Sequence, residues 1–419
     1  MSDWSPRDLL PTARSRVKRQ RQIRSMIVLA VFGLVVVSCI AAKDDGDTKA
    51  TDRTRSSTTE EVAAGATSAP LPPYDGWVNP ASSGRPWSTK VDGLLTFRGN
   101  ATRSYYGKGP VPENPEVVWS YPGPSGGMCG ESSVDGEFKT WCGSGWTGQP
   151  SVWNDKDGKT WVAFGAYDKA VHMVDGETGQ DLREPKATGD IIKGSVTIDP
   201  DGFPLLYSGS RDNLFHVYAT DRGEQLEELW TLSADAVSPT KWNNDWDGSA
   251  LVIDDYLFEG GENSQFHIVK LNRAYDAAGK VTVDPQLVFN TPGWDDELLS
   301  AIGDQEVSIE NSVAISGNTV YFANSGGLVQ GWDITGLREG ATPQRVFRFW
   351  TGDDTDATIV IDGDGMLYVA SEYERGLERA RTNRPTDEAR SHQARRSAGV
   401  EGRRSRLPTG GHLGHACDP

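Results

Sequence analysis

The sequence predicts an all-β architecture built from one repeated four-stranded unit, and three observations predict it. The first is a recurring strand: LFHVYATD at 214–221 returns as QFHIVKLN at 265–272, and AVHMVD at 170–175 has the same alternation. The second is composition: 47 Gly and 14 Trp but only 5 Met suit short strands joined by tight turns better than long helices. The third is a period. Units open with GQPSVW at 148, KGSVTI at 193, DGSALV at 247, ENSVAI at 310 and DATIVI at 356, between 45 and 63 residues apart.

Each opening is a small or polar residue followed by alternating apolar positions, the pattern of a half-buried strand. A turn rich in Asp, Gly or Asn follows, and then a second apolar strand: WVAFGA, PLLYSGS, YLFEGG, TVYFANS, MLYVASE. The third strand carries the recurring motif, and EELWTL, QLVFN and RVFRFW read as a fourth. Longer units carry insertions at 272–286 and 291–306. A four-stranded unit at this period is the signature of a β-propeller, each unit one blade. Phe215 and Phe266 are expected to pack between blades, with His216 and His267 beside them in structural roles.

Within the repeats, Asp175-Gly176-Glu177-Thr178-Gly179 resembles the A-x-D-x-x-T-G-x-x-x-W signature of the pyrroloquinoline-quinone (PQQ) type propeller repeats. Met173 stands in the Ala place and Arg183 in the Trp place. Ala219 and Asp221 match a second copy, with Trp230 one residue late, and Asp333, Thr335 and Gly336 offer a further, shortened one. Leu95-Thr96-Phe97-Arg98-Gly99-Asn100 with Arg103 resembles the family's opening F-R-G-(N/D)-x-x-R, and Glu116-Val117-Val118-Trp119 its first Trp-containing strand. The resemblance spans about 94–375 and implies a propeller over 74–376. About five blades are visible, the last incomplete, where an intact relative is expected to have seven or eight. The family includes PQQ- and calcium-dependent quinoprotein dehydrogenases, and also propellers that bind no quinone, such as an outer-membrane assembly lipoprotein. The adjacent Cys-Cys pair of the large dehydrogenases is missing here.

In a propeller the start of each innermost strand lines the central channel. Here those starts are polar: Lys193, Asp245-Trp246-Asp247, Glu310-Asn311 and Asp354 with Asp356. Converging, they form a candidate ligand site. Asp245, Asp247, Glu310 and Asn311 offer the hard oxygens that calcium takes, and Lys193 could hold an anionic group or pair with a carboxylate. A pair of these carboxylates could also serve as general acid and base. Trp246 is the candidate cofactor floor. Asp and Asn at strand starts are also ordinary turn residues that bond their own backbone. No EF-hand, HExxH, GxSxG or P-loop pattern names a reaction, and no catalytic residue is assigned.

The N-terminus bears on location. A basic region (1–25) precedes the apolar run MIVLAVFGLVVVSCIAA at 26–42, and KDDGD follows, a charge order that places the body outside the cytoplasm. The run has the length of a short signal-anchor, and Val36-Val37-Ser38-Cys39 resembles a lipobox, which makes Cys39 the lipidation candidate; both readings tether the protein to a membrane. Residues 43–73 read as a disordered linker. Cys129 and Cys142, flanking a polar loop, are expected to form a disulfide in an oxidising compartment.

Residues 43–376 hold 26 Lys and Arg against 52 Asp and Glu, which argues against nucleic acid as a partner. From 377 to 419 the composition changes: nine Arg, three His and no Phe, Trp, Tyr, Lys, Ile or Met. That stretch reads as a disordered basic tail or as the product of a shifted reading frame. The expected function is therefore ligand binding or protein assembly by a membrane-tethered, extracytoplasmic propeller, with a protein partner on the propeller face. Its alternatives are a PQQ- and calcium-dependent oxidoreductase and a propeller hydrolase or lyase using a carboxylate pair.

Overall fold

A computed structural model describes residues 70–372, apart from 111, 124–125, 135–136 and 146–147, together with 403–406. The basic region, the apolar run with Cys39, nearly all of the linker and most of the tail lie outside the described residues. No helix among the described residues is long and apolar enough to cross a membrane.

The chain folds as an all-β propeller whose antiparallel sheets follow one another along the sequence. The first blade comprises β1 (Asp92–Leu94) and, after the hairpin of β2 (Cys129–Val134) and β3 (Glu137–Cys142), β4 (Ser151–Asn154), β5 (Thr160–Ala166), β6 (Ala170–Asp175) and β7 (Lys186–Ala187), paired in the order β1-β4-β5-β6-β7. The second holds β8 (Thr197–Ile198), β9 (Leu205–Gly209), β10 (Leu214–Ala219) and β11 (Glu227–Ser233).

In the third blade, β12 (Leu251–Ile253), β13 (Tyr256–Gly260) and β14 (Gln265–Lys270) pair with β17 (Gln286–Pro292), because a small hairpin, β15 (Ala274–Tyr275) with β16 (Val281–Thr282), is inserted. A seven-residue helix, α1 (Asp296–Ile302), follows it. The fourth blade is β18 (Ala314–Ser316), β19 (Thr319–Phe322), β20 (Leu328–Asp333) and β21 (Gln344–Trp350). The fifth pairs β22 (Val360–Ile361) and β23 (Met366–Val369) with β24 (Arg403–Arg406). The two insertions expected from unit length are the β15–β16 hairpin and the helix.

The sheets bury their faces against one another, and each junction between blades is its own apolar cluster. Ala163, Val171 and Met173 of the first blade meet Ile192, Val196 and Leu206 of the second. Tyr207, Phe215 and Val217 then meet Trp246, Val252 and Leu257 of the third. Phe258, Phe266 and Ile268 meet Ile315, Val320 and Phe322 of the fourth, and Tyr321 and Val329 meet Ile359, Ile361 and Leu367 of the fifth. Phe215 and Phe266 lie in these junctions, at 5.8 Å from the Trp246 ring and 4.8 Å from the Phe322 ring respectively. A register shift recurs at one place in three blades, at Val217/Tyr218, Ile268/Val269 and Gly331/Trp332.

Adjacent blades are also stitched along their inner strands. The backbone N–H of Gln149 donates to the Ser195 hydroxyl at 2.7 Å, that of Ser249 to Ser312 at 2.9 Å, and that of Ser312 to Thr358 at 3.1 Å. These hydroxyls occupy the same place in successive units. Glu116–Trp119, expected as a strand, is not one among the described elements. The Trp119 indole instead donates to the Gly176 carbonyl at 2.9 Å and lies against Gly179, whose φ of +69° is the turn's left-handed residue. Trp77 does the same in the fourth blade, donating at 2.6 Å to the carbonyl of Ile334, between Asp333 and Thr335.

Residues 95–103 run along the far ends of the inner strands. The Leu95, Ala101 and Thr102 carbonyls accept from the N–H groups of Ile198, Ile315 and Ile361. Arg103 is fully buried, and donates to the carbonyls of Val313 at 2.7 Å, Phe97 at 2.8 Å and Ser249 at 2.6 Å, and to the Thr96 hydroxyl at 2.8 Å. This stretch ties four blades together at one end of the axis. Within it the Arg98 N–H also reaches the Gln149 side chain of the first blade at 3.2 Å.

Candidate functional site

Aligned on the hydroxyl of each inner strand, the first polar positions are Gln149, Lys193, Asp247, Glu310 and Asp356, one per blade. In the second, third and fourth blades the residue before this position packs beneath it. Ile192, Trp246 and Ile309 press on Gly165, Gly209 and Gly260 of the preceding blade, where a Cβ would collide with them. Trp246 is thus the third blade's counterpart of two isoleucines: fully buried, between Phe215 and the ring of His267 at 5.1 Å. Its indole belongs to the junction between blades and does not form a floor facing the axis.

With the apolar neighbour turned into the junction, the polar side chain is turned inward. Lys193 extends from the second blade into three carboxylates of the third: Asp245 at 3.1 Å, Asp247 at 2.7 Å and Glu262 at 2.7 Å. Arg211 adds a second cation, its Nε 3.1 Å from Asp245, and Asn243 donates to Glu262 at 2.9 Å. The three acids are buried, with side chains between 1% and 4% exposed, and carboxylate oxygens from all three lie within 4.8 Å of one another.

So many buried carboxyls cannot all ionise easily. Burial, and then the charge of Glu262, push Asp245 up to about 7 despite Lys193 and Arg211. Burial raises Asp247 well above the usual range, helped by a hydrogen bond with Glu262, and Glu262, favoured by Lys193 against its own burial, is held low. The two carboxyls thus shift in opposite directions, Glu262 being the one that the Lys193 ammonium favours as a carboxylate. The Lys193 ammonium, although buried, is raised well above its usual value by these acids.

The fourth and fifth blades supply a second group. The Ser308 hydroxyl donates to Glu310 at 2.6 Å, and the Ser325 hydroxyl lies 3.3 Å from Glu310 and 3.2 Å from Asp356. Burial, then the charges of Glu262 and Asp356, push Glu310 up to about 7. Asp354 is pushed up to about 9 by burial first, then by Asp356, with which it shares a hydrogen bond; Asp356 is itself raised by burial. Among the described residues no Lys or Arg forms an ion pair with Glu310, Asp354 or Asp356.

Of the residues singled out from the sequence, Lys193, Asp245, Asp247, Glu310, Asp354 and Asp356 line this acidic mouth. Asn311 does not join them: its amide donates to the carbonyls of Ala323 at 2.8 Å and Thr355 at 3.3 Å and accepts from the Ala323 N–H at 3.2 Å. The calcium set of Asp245, Asp247, Glu310 and Asn311 is therefore not assembled as one shell, and the cradle the acids do form is filled by the Lys193 ammonium. A quinone site on Trp246 does not fit either, since that ring is enclosed.

Sequence reasoning missed Glu262, Arg211 and Ser325. All three occupy the same place in the turn between second and third strands, five residues before His267, His216 and Gln330 respectively. The repeat register would have found them had the turns been aligned as well as the strand starts.

Beside this mouth stands the β2–β3 hairpin, closed by a disulfide between Cys129 and Cys142 (Cα–Cα 4.1 Å). The Ser132 hydroxyl donates to Asp190 at 3.1 Å, the Trp141 ring lies 5.7 Å from that of Tyr167, and Gly145 abuts the Lys193 backbone. The histidines of the recurring strand are structural. His172 bonds Tyr121 at 2.8 Å and Asp168 at 3.0 Å, and His216 bonds Glu228 at 2.7 Å. His267, fully buried against Trp246, is pushed down to about 3 by burial.

No family model matches this chain, and no curated protein matches it. Among solved structures, BamB from Moraxella catarrhalis is similar at a TM-score of 0.35 and 13% identity, over 57% of this chain and 66% of that one. A chain of a mitotic checkpoint complex is similar at a TM-score of 0.36 and 16% identity, over 56% of this chain and 63% of that one. The chain thus spans a little under two thirds of either protein it resembles.

Proposed function

We propose that this protein is a membrane-tethered, extracytoplasmic propeller that binds a cationic group in the acidic mouth of its axis. The observation that carries the reading is the group formed by Glu310, Asp354 and Asp356: three carboxyls from two blades, brought together around Ser325 with no basic ion-pair partner among the described residues. Burial makes ionisation of such carboxyls costly, and an arriving positive charge lowers that cost. An ammonium or guanidinium group, free or on a partner polypeptide, supplies that charge with directional donors. The basic-then-apolar N-terminus supports the tether, and the disulfide of the β2–β3 hairpin supports an oxidising compartment.

Calorimetry with spermidine and with an arginine-containing peptide tests this. Saturable binding by either, weakened at least tenfold in Glu310→Gln or Asp356→Asn, is expected. The peptide alone binding identifies a protein partner, and the polyamine alone a small ligand. Heats that are unsaturable, or unchanged in both variants, overturn the reading.

A further inference from the structure

We infer that the Lys193 ammonium stands in the place a divalent cation would take, so that the cradle of Asp245, Asp247 and Glu262 is closed to calcium in this chain and opens only when that side chain is removed. The inference goes beyond the proposed ligand site, which uses the other acidic group.

Three carboxylate oxygens within 4.8 Å of one another, from buried side chains, are a sound beginning for a calcium shell, which takes six to eight oxygens at about 2.3–2.6 Å. An ion at their centre would sit where Nζ of Lys193 already makes contacts of 2.7, 2.7 and 3.1 Å. The two cannot coexist, because an ammonium has three donors and no lone pair to offer a metal. The lysine also has little freedom to withdraw. Ile192 before it is fully buried against Gly165, Gly145 closes on its backbone, and only 14% of its side chain is exposed. Arg211 adds a second positive charge against Asp245, and Asn243 engages the other oxygen of Glu262. An ammonium fixed by the sequence thus balances the charge that a metal would otherwise balance. It also joins the second blade to the third.

Tryptophan-sensitised terbium luminescence, with calcium calorimetry, on the full chain tests this. The variants are Lys193→Ala, Lys193→Arg, and Asp247→Asn alone and combined with Lys193→Ala. The wild type and Lys193→Arg are expected to show no calcium or terbium site that Asp247→Asn removes. Lys193→Ala is expected to gain one, weakened at least tenfold when Asp247→Asn is added. Binding that survives Asp247→Asn belongs to other carboxylates and leaves the cradle closed, as inferred. A wild-type calcium site abolished by Asp247→Asn overturns the inference, as does a folded Lys193→Ala that gains nothing. If Lys193→Ala does not fold, the wild type with and without Asp247→Asn still decides whether the cradle admits calcium.

Discussion

Lys193 of the second blade and Asp247 of the third, which occupy the same position in successive repeats, meet at 2.7 Å. Repetition of backbone has here been turned into complementarity of charge. One position, copied from blade to blade, holds Gln149, Lys193, Asp247, Glu310 and Asp356, and the single cation among them is gripped by its acidic neighbours.

That cation is the first to test for stability. Removing the buried Lys193 ammonium strands the ionised Glu262 that it faces at 2.7 Å, at a cost of about 3–5 kcal/mol. Lys193→Gln is therefore expected to lower the melting temperature substantially, and the double variant with Glu262→Gln to recover part of the loss. Calorimetric unfolding of the three proteins measures it.

Stability should also fall as pH rises. Folding raises Asp245 and Glu310 to about 7 and Asp354 to about 9, whereas the same groups in the unfolded chain titrate near 4. Between those values the folded form holds more protons than the unfolded, so each step up in pH favours unfolding. Below about pH 4 all three are protonated in both states, and these groups contribute no slope. Melting temperature is expected to decline from pH 5 to pH 8, and more shallowly in Asp354→Asn. A cationic ligand should bind more tightly, and displace fewer protons, as pH rises through the same window.

Trp246 separates two roles. As a residue of the junction between blades, Trp246→Ala should cost about 3–5 kcal/mol of stability through the cavity it leaves. Trp246→Ile, the residue found at the equivalent place in two other blades, should be milder. Neither should move ligand affinity by more than about twofold in protein that remains folded. Denaturant melts alongside calorimetric titration measure both quantities.

The hairpin offers a local readout. In the chain-entropy description a disulfide closing a loop of this size contributes about 3 kcal/mol. Cys129→Ser with Cys142→Ser is expected to loosen the hairpin first, since Phe138 is 78% exposed. Limited proteolysis should then cut near Phe138 in the variant and spare the oxidised parent.

Much of this fold was legible in the sequence because a strand alternating within a fixed period leaves a mark that survives divergence. LFHVYA and QFHIVK are third strands, as their pattern required; among the polar strand starts, Lys193 meets Asp247, and Glu310 and Asp356 share Ser325. Four things were illegible for physical reasons. Trp246 sits between two aspartates that face the mouth, yet its own ring is turned away into the junction, because successive residues of an extended chain point to opposite sides. The Asn311 amide looks like a ligand in sequence but satisfies backbone groups, a role that only contacts distant along the chain reveal. Glu262 came from a turn, where no alternation guides the eye and only its constant offset from the third strand marks it. The docking of Trp119 and Trp77 on turns 57 and 257 residues away is likewise a matter of tertiary contact.

The stretch ending in Arg103 works as a strap across the inner strands. Leu95, Ala101 and Thr102 bond three of them, the Arg98 N–H donates to the Gln149 side chain of the first blade, and the buried Arg103 guanidinium joins the third and fourth. The blades are thus held by one short segment as well as by their own junctions, so loosening that segment would release several inner strands at once.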